Sequence, residues 1–566
     1  MKKLRWQLLI IFLTGLVVGI LLLSEQSSGK PLISAQQPTK GGIYTEALIG
    51  SFQRLNPILD FYNAADHDVD RLIYSGLIRF DDRGLAQADL AESWGISQDG
   101  KTYNFALRKN LVWQDGKPLT SEDVLYTVDM LRNGVNVVPA DVQTFWKAVD
   151  VQALSADLVQ FKLPEAFSPF LDYLTFGILP KHALAGLSFD IMLNSPFNMQ
   201  PVGSGPYQFN KLIVEDGQIV GVELKAFDKY YGKKPFVEQI VFRYYADGAA
   251  ALKAYQDGKV QGISNVSSDV LAGVLAEPNL AVFTGRKPEL AMLLFNLKDE
   301  KTKFLQDVNF RKALMVGLNR EWLVDRVLNG QAVIANGPIL PGTWAYYNGL
   351  KPVAFDALAA ANMLKDAGYV IPADGGSVRV KGDVQLKFTL LTPDDETHRA
   401  LAESIQSDWA KLNVIVDLEA VPYEELVNQR LDQHNFQVAL VDLNLASSPD
   451  PDPYPFWDQA QATGGQNYTG WDNRIASEFL EQARTTADIA QRLKFYRNFQ
   501  VIWNEELPAI PLYYPVYTFA MDKELQGIRI GPLFNPSDRF ANVNEWFFVV
   551  RQPLQAGATA QPTIVK

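Results

Sequence analysis

Asp450 and Asp452 alternate with Pro449, Pro451 and Pro453, after Ser447 and Ser448 and just before Tyr454, Phe456 and Trp457. Proline has no amide proton for a helix or sheet ladder and biases its predecessor toward extended backbone, so this stretch reads as a rigid loop. Two carboxylates on such a loop can work as acid and base on a glycosidic bond. One short loop rarely supplies both of the opposed acids that such hydrolysis needs, so we expect no catalytic residue here. Binding is the more natural chemistry: fixed carboxylates receive a ligand ammonium or hydroxyls, while Tyr454 and Trp457 stack on apolar or sugar faces. The plainer alternative is a surface turn whose aromatics serve the core.

Other chemistry is sparse. The four histidines, His67, His182, His398 and His434, show no metal-ligand spacing, and no H-E-x-x-H occurs. We expect no metal, no cofactor and no phosphate-cradling loop. There is no G-x-S-x-G elbow, and Gly203-Ser204-Gly205 reads as a tight bend. Cysteine is absent, which removes disulfides, thiolate ligands, cysteine nucleophiles and the acylated cysteine of a bacterial lipoprotein.

The acidic loop follows an apolar run, Phe436–Leu445, that reads as a buried strand, and ligands meet open α/β sheets at the carboxyl ends of their strands. Upstream, strand and helix patterns alternate: strand Leu386–Leu391, helix Glu396–Lys411, strand Val414–Val421, helix Tyr423–Leu431. That alternation predicts a mostly parallel sheet covered by helices. Earlier, Ile43–Ile49 reads as a strand and Arg71–Ile78 as a helix, and Thr120 with Asp123 forms a capping box. Glu238–Tyr245, Asp247–Tyr255 and Val260–Ile263 spell a β-α-β unit. Later, Leu293–Leu297 reads as a short strand, Ile475–Arg484 and Ala490–Glu505 as helices, and Ala509–Tyr514 as a returning strand. No repeat of 20 to 50 residues is visible.

The chain is 566 residues long, enough for about three to four domain-sized units. Its net charge of -12 argues against nucleic acid as a partner, since phosphate binding needs a basic surface. Lys2, Lys3 and Arg5 precede an uncharged run, Trp6–Leu23, and then a polar stretch to Lys40. This is an export signal, either cleaved or kept as an anchor, and it places the rest outside the cytoplasm. The tail from Gln552 is polar and small-residue rich, and reads as disordered.

Several stretches resemble one family, the extracytoplasmic solute-binding proteins of peptide-type ABC importers (family 5, the oligopeptide- and dipeptide-binding proteins and their relatives). They include Leu55-Asn56-Pro57, Leu90-Ala91-Glu92-Ser93-Trp94, Asp99-Gly100-Lys101-Thr102-Tyr103, Asp115 to Thr120, Gly203 to Tyr207, Tyr231 to Pro235, Val308 to Ala313 and Pro508 to Tyr513. The resemblance runs from about Gly41 to about Phe548. It implies an α/β protein with a two-lobed, type II periplasmic-binding-protein fold and an extra subdomain in the first lobe. The expected division is a signal or anchor with linker at 1–40, first lobe at 41–80, 200–287 and 508–551, extra subdomain at 81–199, second lobe at 288–507, and tail at 552–566. It further implies a monomer that captures peptide and delivers it to ABC permease subunits in the membrane. Relatives of the same fold carry oligosaccharides, nickel chelates or opines, so another small solute is the alternative. An extracellular hydrolase using Asp450 and Asp452, and a sensor or chaperone reusing the fold, are alternatives of other classes. The family's peptide binders set an acid near the start of the 440–455 loop against the peptide amino terminus, and Asp450 or Asp452 is the nearest candidate. The remaining expected cleft residues are Tyr62, Asn63, Phe145, Trp146 and Asn467.

Overall fold

The computed structural model describes residues 38–184, 187–373, 375–445 and 449–549; the export segment, Ser447, Ser448 and the tail lie outside them. Among the described residues no helix is long and apolar enough to cross a membrane.

A twelve-stranded sheet runs through the molecule. From one edge its order is Ile415–Val421, Lys387–Pro393, Val438–Asn444, Glu289–Phe295, Ala509–Asp522, Gly262–Ile263, Ile43–Ile49, Gln239–Tyr245, Gln218–Ala226 and Tyr207–Glu215. Leu280–Arg286 and Ala332–Ile334 also pair with Ala509–Asp522. The sheet is mixed, not mostly parallel. Lys387–Pro393 is parallel to both of its neighbours, as the helical crossovers require, but Glu289–Phe295 runs antiparallel to Val438–Asn444 and to Ala509–Asp522. Those two strands arrive from distant parts of the chain, and local periodicity carries no information on their direction.

Burial divides the sheet into two lobes. One core is drawn from Leu290 to Tyr514. The other takes Tyr44 to Phe242 and then Tyr517 to Trp546, with a small satellite around Ala251, Val274 and Ala520. The chain passes between the cores along two antiparallel tracks: Leu280–Arg286 into Glu289–Phe295, and the single strand Ala509–Asp522. Prolines mark the crossing. Pro288 interrupts the first track, Lys287 donates its amide to the Pro515 carbonyl at 2.9 Å, and Pro511 sits at a register shift between Ala291 and Met292. Proline cannot donate to a ladder, which favours a bulge at such positions. The returning strand continues to Asp522, well beyond the expected Tyr514, because Leu280–Arg286 and Gly262–Ile263 pair with its second half.

A separate four-stranded antiparallel sheet is built from Ala91–Ile96, Thr102–Leu107, Leu158–Lys162 and Asp150–Ser155. Its first turn contains Gly95–Thr102, which satisfies the bare phosphate-loop spacing. Here it is a strand–turn–strand unit with Gly100 at φ +70°, and Lys101 donates to the Pro164 carbonyl at 3.1 Å. No helix follows to present amides to a phosphate. The Thr120–Asp123 capping box starts the helix Ser121–Asn133 as expected. The helix expected at Arg71–Ile78 instead spans Ala64–Ile73, and Ile78–Phe80 is a strand. Three acids of that helix, Asp66, Asp68 and Asp70, face inward, which hides the apolar stripe from a hydrophobicity pattern.

The carboxyl-terminal segment is held to this lobe by a buried charge cluster. Arg539 is fully buried and bonds Glu46 at 2.6 Å and Asp68 at 2.7 and 2.6 Å, while Tyr44 donates to Glu46 at 2.8 Å. Removing one partner of a buried pair strands the other charge without water. Arg539→Leu is expected to cost about 3–5 kcal/mol in urea denaturation; a loss below about 1 kcal/mol would show the cluster to be incidental.

Candidate functional site

The strand Val438–Asn444 ends at the acidic loop, and Pro453 then caps a single helical turn, Tyr454–Trp457. Neither acid is free. Asp450 is 7% exposed, and its Oδ2 lies 2.5 Å from Arg492 Nη2. Its Oδ1 accepts from the Tyr496 hydroxyl at 3.1 Å and from the Asp452 amide at 3.2 Å. Arg492 also donates Nε to the Ala483 carbonyl at 2.7 Å, and its guanidinium lies over Trp344 at 5.1 Å. Burial disfavours the charged guanidinium, but Asp450 overrides this and raises its pKa. Asp452 accepts from Arg484 Nε at 3.0 Å. Burial pushes the Asp452 carboxyl up to about 6, against the pull of Arg484.

This is also where the lobes touch. The Asp450 amide donates to Asp172 Oδ2 at 3.1 Å, and Ser168 Oγ donates to the Thr486 carbonyl at 2.6 Å. The Arg484 guanidinium stacks over Tyr454 of its own lobe at 4.3 Å and over Phe167 of the other at 5.1 Å. Phe145 joins by stacking on Tyr173 at 3.9 Å and lying 6.0 Å from Phe167. Beside the loop, toward Pro288, a small apolar hollow of about 20 Å³ is lined by Pro449, Pro451, Leu445, Ile339 and Phe534.

Of the expected residues, Asp450, Asp452, Tyr454 and Phe145 come together here. The others do not. Tyr62 is 79% exposed on another part of the first lobe. Asn63 is a helix cap: its oxygen accepts from the Ala65 and Asp66 amides, and its nitrogen donates to Ser51 and Asp66. Trp146 is a core residue packed on Phe161, Phe170 and Phe176. Trp457 is buried edge-on against Trp503 at 5.2 Å, because the helical turn rotates it inward where an extended loop would have pointed it out. Asn467 is fully buried and saturated: it donates to Asp458 and Trp471 and accepts from Thr469 and Trp471, leaving nothing for a ligand. Residues that sequence reasoning missed are Phe167, Asp172, Tyr173, Arg484, Arg492 and Tyr496. They come from distant segments; arginines on the inward side of two helices were the one available signal.

Two separately cored lobes, joined by two strand tracks and meeting at a charged, aromatic seam, define a protein built to close on a small molecule. The model of the bacterial extracellular solute-binding proteins, family 5 Middle, matches residues 86–466, and the chain belongs to that family. It has the two-lobed, type II periplasmic-binding fold. It is 26% identical over 531 residues to the oligopeptide-binding protein AppA of Bacillus subtilis, covering 93% of this chain and 95% of AppA. The structure of AppA in complex with a nonapeptide matches with a TM-score of 0.60 at 26% identity, covering 90% of this chain and 100% of that one. NikZ from Campylobacter jejuni, in complex with Ni(L-His), matches with a TM-score of 0.63 at 27% identity, covering 89% and 99%.

Two substitutions separate the roles of the acids. Asp450→Asn leaves Arg492 buried without a counter-ion and is expected to cost about 3–5 kcal/mol in urea denaturation. Asp452 binds its proton more tightly folded than unfolded. Its stabilising contribution is therefore full below the unfolded value of 3.8 and is lost as pH rises through about 6. Denaturation curves between pH 4 and 7 should show wild type losing stability relative to Asp452→Asn as pH rises; parallel pH profiles would contradict the assignment.

Proposed function

We propose that the chain is the capture component of an ABC importer, closing its lobes over a peptide outside the cytoplasm and delivering it to a membrane permease. The observation that carries this reading is the seam itself: first-lobe residues Phe167, Ser168 and Asp172 meet second-lobe residues Asp450, Arg484 and Thr486 across a boundary that two strand tracks span. A ligand that binds the closed state better than the open one shifts the population toward closure. The family resemblance to AppA, whose structure holds a nonapeptide, supports peptide as cargo.

In this reading the crossing lies at Lys287–Pro288 and Tyr514–Pro515, the four-stranded sheet belongs to the extra subdomain at 81–199, and the cleft wall includes Phe145, Asp450, Asp452 and Tyr454. The amino-terminal segment exports the chain or anchors it. The protein binds and does not turn over its cargo: both loop acids are held by arginines, so neither is free to serve as acid or base. A second reading, capture of a different small solute, is favoured by the same pairing, since neither loop acid is free to meet a peptide amino terminus.

Melting temperature and intrinsic tryptophan fluorescence should be followed against random peptide pools, oligosaccharides and nickel–histidine, with mass spectrometry of the recovered ligand. We expect saturable stabilisation by peptides that are recovered intact. Stabilisation by the non-peptide solutes alone would replace the cargo, and cleaved peptide would overturn the non-enzyme reading.

A further inference from the structure

We propose that Asp172, on the first-lobe side of the seam, receives an organic ammonium group of the captured solute. The inference rests on the capture reading and goes beyond it by naming the recognised charge and moving its receptor off the acidic loop.

The seam brings together three carboxylates, Asp172, Asp450 and Asp452, but only two guanidiniums, Arg484 and Arg492. Arg492 is committed to Asp450 and Arg484 to Asp452. Asp172 is 9% exposed and takes one neutral donor, the Asp450 amide on Oδ2. Among the described residues its Oδ1 has no partner, and no lysine or arginine lies within ion-pair distance of it. The groups facing it are Asp450, Asp452 and Arg492, with the phenols of Tyr103, Tyr173 and Tyr496 nearby. Tyr496 spends its hydroxyl on Asp450, and Tyr103 donates to the Phe167 carbonyl. Burial and then the Asp450 charge push the Asp172 carboxyl well above its ordinary value. Closure without cargo thus leaves one largely buried carboxyl with no ion-pair partner of its own, a charge that a proton or a bound cation stabilises.

The surroundings select the kind of cation. No cluster of three or more acidic or histidine ligands suited to a metal ion exists among the described residues. The neighbouring surface is aromatic instead, with the Phe145–Tyr173 stack and Phe167 beside it. Aromatic faces attract organic cations, and one open carboxylate oxygen accepts an ammonium proton. For peptide cargo the chain's own amino terminus supplies that group.

The test uses mature chain and random peptide pools of about 2–9 residues lacking lysine and arginine, with free or acetylated amino termini, plus an acetylated pool containing lysine; the length range follows the extended reach of a peptide strand. We expect free-amine peptides to bind wild type at least about tenfold more tightly than acetylated ones, and Asp172→Asn to reduce that preference to within about twofold, as for loss of one charged hydrogen bond. Binding of the acetylated lysine pool alone would assign the ammonium to a side chain, still on Asp172. Retention of the full preference by Asp172→Asn, or equal binding of ammonium-bearing and ammonium-free pools by wild type, would overturn the proposal. If no pool binds wild type, the peptide reading fails and X-ray scattering of the cargo-free protein decides about Asp172. Wild type should become more compact as pH falls from about 8 to 5 by more than Asp172→Asn, whose remaining response is that of Asp452, and identical profiles would overturn the assignment. If Asp172→Asn does not fold, calorimetry of wild type in buffers of different ionisation heat replaces it. Near neutral pH, binding of the free-amine pool should release up to about one proton, and no release would overturn the proposal.

Discussion

The buried pair of Asp450 and Arg492 organises the seam. Its cost is large, because two charges leave water, and the geometry offsets it with further bonds from Tyr496, the Asp452 amide and the Ala483 carbonyl. The arrangement locks a proline-rich loop, which has no ladder of its own, to the helix Ile489–Glu506 behind it. With Asp450 fixed, its amide points at Asp172 of the other lobe, and Asp452 falls where Arg484 can hold it between two aromatic faces. The acids that look ligand-seeking in isolation thus work as the frame of the site. The charge left over belongs to the opposite wall.

The strand crossing gives this frame something to act on. Each lobe has its own apolar core, so the lobes are rigid units, while the link between them is two antiparallel tracks punctuated by Pro288, Pro511 and Pro515. Packed cores resist continuous deformation, so motion concentrates where packing is thin and ladder bonds are missing. Across the seam the direct contacts are few: hydrogen bonds to Asp172, Thr486 and Arg83, the Arg484 cation–aromatic contact, and Leu85 and Phe534 of the first lobe packed on the second-lobe core. A handful of such contacts is a weak closure by itself, which suits a protein whose closed state must depend on what lies inside it.

Much of the fold was legible because it rests on local signals. The Thr120 capping box, the Asp99-Gly100 turn and the alternation from Lys387 to Asn444 each state their own structure in a few residues. The helix Ala64–Ile73 is masked in the sequence because its inward face carries aspartates, and the Gly95–Thr102 phosphate-loop pattern is a coincidence that only the strand after it dismisses. The site was half legible. Asp450, Asp452 and Tyr454 are singled out by residue type and spacing on the loop and Phe145 comes with the family resemblance; the fold brings these four together at the seam. Trp146, Trp457 and Asn467 were not separable from core residues, because a tryptophan or asparagine carries the same local signature whether its neighbours are protein or ligand. Asp172 and the two arginines lie far from the loop in sequence, so their charge balance exists only once the chain is folded.

The lack of cysteine gives direct access to the central claim, that the lobes close on cargo about the proline-marked crossing. Lys109→Cys on the first lobe and Lys494→Cys on the second, both exposed, would carry spin labels for pulsed dipolar distance measurement. The account predicts a broad interlobe distance distribution without ligand that shifts to a shorter, narrower one with saturating peptide. A distribution that stays unchanged while peptide demonstrably binds would contradict it.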